Sequence, residues 1–212
     1  MSAELFLGYL TQLLFLLIFL SVLRITIRHP SRARIDTTLF FGAAVVIVLL
    51  GFVERAVSVS LRPILVAVSQ SVVLALPYLF LRLVADASAV PIWLMRAAVM
   101  GLILQIIAFF MLLGQPLPLW LVGFAVVYFV LILIYGAAVV IREAYESRGV
   151  TRRRMQAVAA GSLLLGVVIL SAGLQMVLPG VTAFVVIGEL ASLGAAVSYY
   201  LGFAPPTWLR RA

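Results

Sequence analysis

Seven long apolar stretches run through the chain, and each has about the 20 residues that a helix needs to cross the hydrocarbon core of a bilayer. Proline and glycine separate several of them, as in Pro179-Gly180, where one helix must end and the chain must turn. Of the 212 residues, 66% are apolar and only 10% charged, whereas a soluble domain has about 25% charged residues. We therefore predict an all-α, polytopic membrane protein, a single domain spanning 1–212. Its seven transmembrane helices are predicted at about 5–27, 38–59, 63–85, 91–113, 118–144, 153–178 and 181–203.

The arginines predict how these helices are oriented. If the N-terminus is outside, 13 of the 15 arginines fall on the cytoplasmic side, and only Arg55 and Arg62 fall outside. Such an excess is typical of cytoplasmic loops in membrane proteins. We therefore expect the N-terminus outside, the C-terminus in the cytoplasm, and the bacterial plasma membrane as the location.

Missing residue types exclude several kinds of chemistry. The chain has no lysine and no cysteine, and its one histidine, His29, lies in a polar segment between two apolar stretches. A retinal Schiff base, a thiolate metal site and a bis-histidine haem therefore lack their ligands. We predict no catalytic residue, no metal site and no cofactor, and we leave open whether a parent protein is an enzyme. The lipid bilayer accounts for the basic surplus, so nucleic acid is not an expected partner.

Polar side chains recur at one depth on several predicted helices, about 8–14 Å below the outer boundary at 1.5 Å of rise per residue. We call these side chains the polar layer: Thr11, Gln12, Ser69, Gln70, Ser71, Gln105, Tyr128, Ser171 and Glu189. Hydrocarbon cannot satisfy them, so they should face one another or a wet cavity. Candidate ligand-binding residues are Glu189, Gln105, Gln70, Tyr128 and Gln12, and the alternative is that they only join helices by hydrogen bonds.

Four charged residues, Glu189 among them, have two interpretations each. Glu189, deep in the last apolar stretch, either senses a ligand or a proton or is a structural carboxyl held by hydrogen bonds. Glu54, Arg55 and Arg62 flank the second hairpin, where they form either the rim of the same pocket or a solvated cap.

Small residues recur at every fourth position near the end of the chain. Gly194, Ser198 and Gly202 share one face of the last helix, and Ser162, Gly166 and Gly173 line a face of the helix before it. Small residues allow helices to approach closely in a membrane. We expect these faces to pack against neighbouring helices, with a dimer interface as the alternative.

The chain leaves the last apolar stretch as Tyr-Tyr-Leu-Gly-Phe-Ala-Pro-Pro-Thr-Trp-Leu-Arg-Arg over residues 199–211. This pattern resembles the exit from the N-terminal seven-helix region of bacterial sensor histidine kinases. The resemblance implies an input domain that senses a signal in or near the membrane, forms a homodimer and passes a helix movement to a cytoplasmic output domain. It implies that 204–212 is a cytoplasmic exit segment at the junction with that output domain. The 212 residues themselves contain no phosphoacceptor histidine and no nucleotide-binding motif of such a domain.

Two function classes follow. The first is a membrane-embedded sensor domain for signal transduction, which binds a small molecule or lipid, or senses protonation, in the outer half and relays it through the last helix. The alternative is a small-solute transporter or permease that uses the polar layer as its substrate site. The absence of an internal repeat and of helices broken at mid-depth argues against a transporter.

Overall fold

The computed structural model describes residues 3–58, 60–115 and 117–203, and this part of the chain forms seven α-helices and no strands. The helices are α1 (Ala3–Arg28), α2 (Arg32–Ala56), α3 (Arg62–Ala87), α4 (Ile92–Met111), α5 (Leu119–Glu146), α6 (Gly149–Val177) and α7 (Thr182–Phe203). Each is long and apolar enough to cross a membrane. The prediction of an all-helical, multi-pass membrane protein is confirmed to that extent, and the side on which each terminus lies stays a prediction.

Local signals fix where the helices begin. Helix α2 begins at Arg32, upstream of the expected residue 38, because the Ser31 hydroxyl accepts a hydrogen bond from the backbone N–H of Arg34 at 3.4 Å. Pro91 and Pro118 directly precede α4 and α5, where a proline loses no helical hydrogen bond. The connections between the helices are short, so consecutive helices run antiparallel.

The helices form a ring with one helix outside it. Around the ring, α1 packs on α2, α2 on α3, α3 on α5, α5 on α6, α6 on α7, and α7 back on α1. Helix α4 packs on the outside, against α3 and α5. Because every ring helix turns one face inwards, the ring encloses a common core.

An aromatic cluster occupies the centre of this core. It consists of Phe40 and Phe41 on α2, Phe80 on α3, and Tyr199 and Phe203 on α7, with neighbouring ring centroids 5.3 to 6.1 Å apart. Several of these pairs are edge-to-face, the geometry that aromatic rings prefer. The cluster therefore joins α2, α3 and α7 directly.

Small residues bring α7 against α6, as the sequence predicts. A Cβ on Gly202 would stand 2.5 Å from Cγ2 of Val158, and the Tyr199 hydroxyl lies 3.2 Å from that of Ser162. Gly173 instead faces α5, because a Cβ there would meet Val126 at 2.6 Å. The small residues of α6 thus serve two interfaces.

Two ion pairs join α2 to α3 at the end of the bundle where α2 begins. Asp36 is fully buried and its Oδ1 accepts a hydrogen bond from Nη2 of Arg82 at 2.6 Å. Oδ1 of Asp86 forms an ion pair with Nε of the exposed Arg32 at 3.3 Å. We call this end the basic end, because α1, α3 and α5 end there, α2, α4 and α6 begin there, and their terminal segments carry most of the arginines.

Asp36→Asn should lower the free energy of unfolding by about 1–3 kcal/mol, because it weakens the charge-assisted hydrogen bond to the partly buried Arg82 guanidinium, which keeps only Asp86 as an anionic neighbour. The matched control is Glu146→Gln, which breaks the exposed Arg142–Glu146 pair and should cost about 0.5 kcal/mol or less. Denaturant unfolding in detergent micelles, followed by circular dichroism, measures both. Equal losses in the two variants would contradict a structural role for the buried pair.

Gly136→Ala should destabilise the bundle by about 1–3 kcal/mol, because the new Cβ would overlap the ring of Phe80. Gly123, on the same helix α5, has no neighbouring atom within 4 Å of such a Cβ. Gly123→Ala should therefore be neutral or stabilise the helix by up to about 1 kcal/mol. The same unfolding assay compares them, and a tolerated Gly136→Ala would refute the close α3–α5 contact.

Candidate functional site

A cavity of about 820 Å³ lies inside the ring at the basic end. Its volume falls in the range of about 300–1,000 Å³ that is typical of small-molecule sites. All ring helices line it, and Phe80 and Phe203 place it directly next to the aromatic cluster. The cavity therefore opens at the end of the bundle and is closed towards the membrane centre by packed rings.

The cavity lining is mostly apolar, with a few polar groups. The apolar residues are Val22, Ile25, Ala33, Phe80, Leu83, Val84, Val140, Val150, Met155, Val158 and Phe203. The polar residues are Arg34, Thr37, Asp86, Glu143, Thr151 and Arg154. Such a lining can hold an apolar body and orient a charged group.

Glu189 lies towards the opposite end of α7, at the contact with α1. Its two carboxyl oxygens are 3.8 and 3.9 Å from the point where a Cβ on Gly8 would stand. Ser171 of α6 lies nearby, 3.6 Å from the corresponding point on Gly188. No hydrogen bond or ion pair joins the Glu189 carboxyl to another residue that the structure describes.

Gln105 and Tyr128 lie together at the contact of α4 with α5. The Tyr128 hydroxyl donates to the carbonyl of Ala98 at 3.0 Å, and its ring covers Gly101. Gln105 is buried and donates from Nε2 to the carbonyl of Gly101 at 3.1 Å, while its Oε1 has no hydrogen-bond partner. This pair is on the far side of α5 from the α1–α7 contact, so the structure does not bring it to Glu189.

The remaining candidate residues are dispersed. Gln12 and Gln70 are half-buried on α1 and α3, and no hydrogen bond joins either to another described residue. No ion pair joins the half-buried Glu54 to the exposed Arg62. The side chain of Arg55 and the exit segment 204–212 lie outside the described residues.

The charged residues of the basic end do not stand out in the sequence. Asp36, Asp86, Arg82 and Glu143 stand within a few residues of the ends of apolar stretches, where they look like ordinary solvated charges. One signal was available: Asp36 follows Arg32 by four residues and precedes an apolar run, so a helix that begins early carries its carboxylate into the bundle.

Comparison with known proteins identifies no relative of this chain. No family model, curated protein or solved structure matches the chain. Within residues 3–58, 60–115 and 117–203, no three or more His, Asp or Glu side chains are arranged to hold a metal ion. The function must therefore be argued from the chemistry of the bundle itself.

Proposed function

We propose that the chain is the membrane-embedded input domain of a signal-transduction protein, of the kind that precedes a histidine kinase, and that α7 reports the signal. One observation carries this proposal: the carboxyl of Glu189 lies at the α1–α7 contact without a described partner. A change in the charge of a group in that position acts directly on the packing of α7, whether a proton or a ligand causes the change.

The electrostatics around Glu189 make its charge consequential. An ionised carboxylate inside a bilayer costs about 2.5–3.5 kcal/mol on insertion scales unless it is paired or hydrated. Helices α1 and α6 pack against α7, and the charged side chains that the structure describes on them are Arg24, Arg28, Arg152, Arg153 and Arg154, all at the basic end. No counter-charge on these helices therefore lies near Glu189, and protonation would favour closer α1–α7 packing.

The energy required for signalling is modest. A coupling of about 1–3 kcal/mol between a site and a conformational equilibrium is typical of allosteric proteins. The cost of holding one ionised carboxylate in a bilayer, about 2.5–3.5 kcal/mol on insertion scales, is of this size. Glu189 alone can therefore shift an equilibrium between two packings of α7.

A transporter remains the second candidate, and the cavity favours it. A cavity of about 820 Å³ at one end, closed by the aromatic cluster, could be the vestibule of a permease in one of its two states. Transport would then require the aromatic cluster to separate, whereas sensing requires only that α7 shift.

We also propose that the basic end faces the cytoplasm, which the distribution of arginines supports. Because the chain has no cysteine, single substitutions can be labelled cleanly. In intact cells, a membrane-impermeant maleimide should label Ser58→Cys, between α2 and α3, and should label Ser147→Cys, between α5 and α6, only after lysis. The reverse pattern would invert the proposed orientation.

The sensing proposal predicts that the position of α7 depends on the charge of Glu189. Spin labels at Tyr9→Cys on α1 and Val186→Cys on α7, both exposed side chains, report the distance between these helices in nanodiscs. Glu189→Gln, which removes the charge while nearly keeping the shape of the side chain, should change this distance by about 1–2 Å, as in helix shifts of known switches. The control Glu146→Gln, an exposed carboxyl on α5, should leave the distance unchanged.

Two results would contradict this proposal. A distance that Glu189→Gln leaves unchanged would remove Glu189 as the sensing group. A net solute or proton flux in proteoliposomes that Glu189→Gln abolishes would favour the transporter.

A further inference from the structure

Arg34 and Glu143 line the basic-end cavity, and no ion pair joins them to each other. Nη1 of Arg34 donates to the carbonyl of His29 at 2.6 Å, and no carboxylate of the described chain pairs with this guanidinium. Glu143 is half-buried, and its carboxylate makes no hydrogen bond or ion pair with a described residue. The cavity thus offers a cation and an anion that both have bonding capacity to spare.

The cavity lining carries one further group of each sign. Asp86 forms an ion pair with Arg32 through Oδ1, and its other oxygen is buried beside the Asp36 side chain, so it is not a free acceptor at the cavity. Arg154 donates from Nε to the carbonyl of Gly202 at 2.8 Å, an arrangement that places its guanidinium at the cavity. Two basic and two acidic side chains, from α2, α3, α5 and α6, therefore converge on one apolar cavity.

The depth of these groups matches a lipid headgroup. The membrane-length segments begin at Arg32 and Gly149 and end at Asp86, Glu146 and Phe203. Every charged residue of the cavity lies within about two helical turns of such an end, at the level where hydrocarbon gives way to headgroups. The apolar walls extend from there towards the membrane centre.

We propose that this cavity binds a phospholipid whose headgroup carries both a phosphate and a primary ammonium, as phosphatidylethanolamine does. Guanidinium groups suit the phosphate, so Arg34 and Arg154 bind it. A primary ammonium has three N–H donors, so Glu143, whose carboxylate has no described partner, binds the other end of the headgroup. The apolar walls take one acyl chain, which a water-soluble phosphoethanolamine lacks.

Phosphatidylethanolamine fits the cavity better than other common phospholipids because its headgroup matches the charges and supplies the N–H donors. A phosphatidylglycerol headgroup would leave the Glu143 carboxylate facing an anionic lipid. A phosphatidylcholine headgroup has the positive charge but no N–H to donate to it. The site is independent of Glu189, so either proposal can fail without the other.

Native mass spectrometry tests the proposal on the whole chain, released from micelles that contain equal amounts of phosphatidylethanolamine, phosphatidylglycerol and phosphatidylcholine with identical acyl chains. We expect bound phosphatidylethanolamine to exceed each of the others about tenfold, the effect of one charge-assisted hydrogen bond. Equal binding of the three lipids would overturn the proposal.

Variants locate the site. Glu143→Gln should remove the preference for phosphatidylethanolamine over phosphatidylglycerol, and Arg34→Gln should weaken binding of all three lipids. The matched controls are Glu146→Gln on the same helix and Arg96→Gln at the same end, neither of which lines the cavity. Lipid selectivity that Glu143→Gln leaves unchanged would place the lipid elsewhere and refute the site.

Two further measurements separate a lipid from a soluble ligand and guard against misfolding of the charge variants. Val150→Phe reduces the space between the apolar walls without changing charge, and should lower phosphatidylethanolamine binding several-fold. Soluble phosphoethanolamine should compete poorly with the lipid. If it competes equally well, or if Val150→Phe has no effect, the acyl chain does not occupy the cavity and the lipid proposal is wrong.

Discussion

Hydrocarbon offers no hydrogen-bond partner to a peptide group, and this constraint determines most of what the chain does. Each long apolar stretch must satisfy its backbone internally, so each becomes a helix. Association of these helices cannot rely on the hydrophobic effect, because lipid tails are as apolar as leucine. What holds the ring together is therefore close packing at glycines, aromatic contacts and a small number of polar bonds.

These three kinds of contact are distributed unevenly around the ring. Glycines allow α7 to approach α6, as at Gly202 against Val158, and the aromatic cluster ties α7 to α2 and α3. The pair of Asp36 with Arg82 joins α2 to α3 where packed rings give way to the cavity. A buried pair of this kind adds specificity in how two helices align, because any slip leaves a charge unpaired.

The sequence predicts the number and extent of the helices well, since twenty consecutive apolar residues have few alternatives in a membrane. It predicts depth too, because rise per residue is constant, so Glu189 and Gln105 do lie away from the basic end. It does not predict which faces meet. Asp36 and Arg82 are 46 residues apart, and their contact depends on how α2 rotates against α3. For the same reason Gln105 and Glu189, which the sequence places at one depth, lie at different interfaces.

The close packing of α7 limits the movement by which it could report a signal. Glu189 and Gly202 are about 20 Å apart along the helix at 1.5 Å per residue, and the backbone bonds between them cannot exchange with water in hydrocarbon. The helix therefore moves as a rigid rod. Separation from α6 would break the contacts of Tyr199 with Ser162 and of Gly202 with Arg154 together. Sliding or rotation keeps the glycine face in contact, so a change at Glu189 would reach the cavity as a small displacement of Phe203.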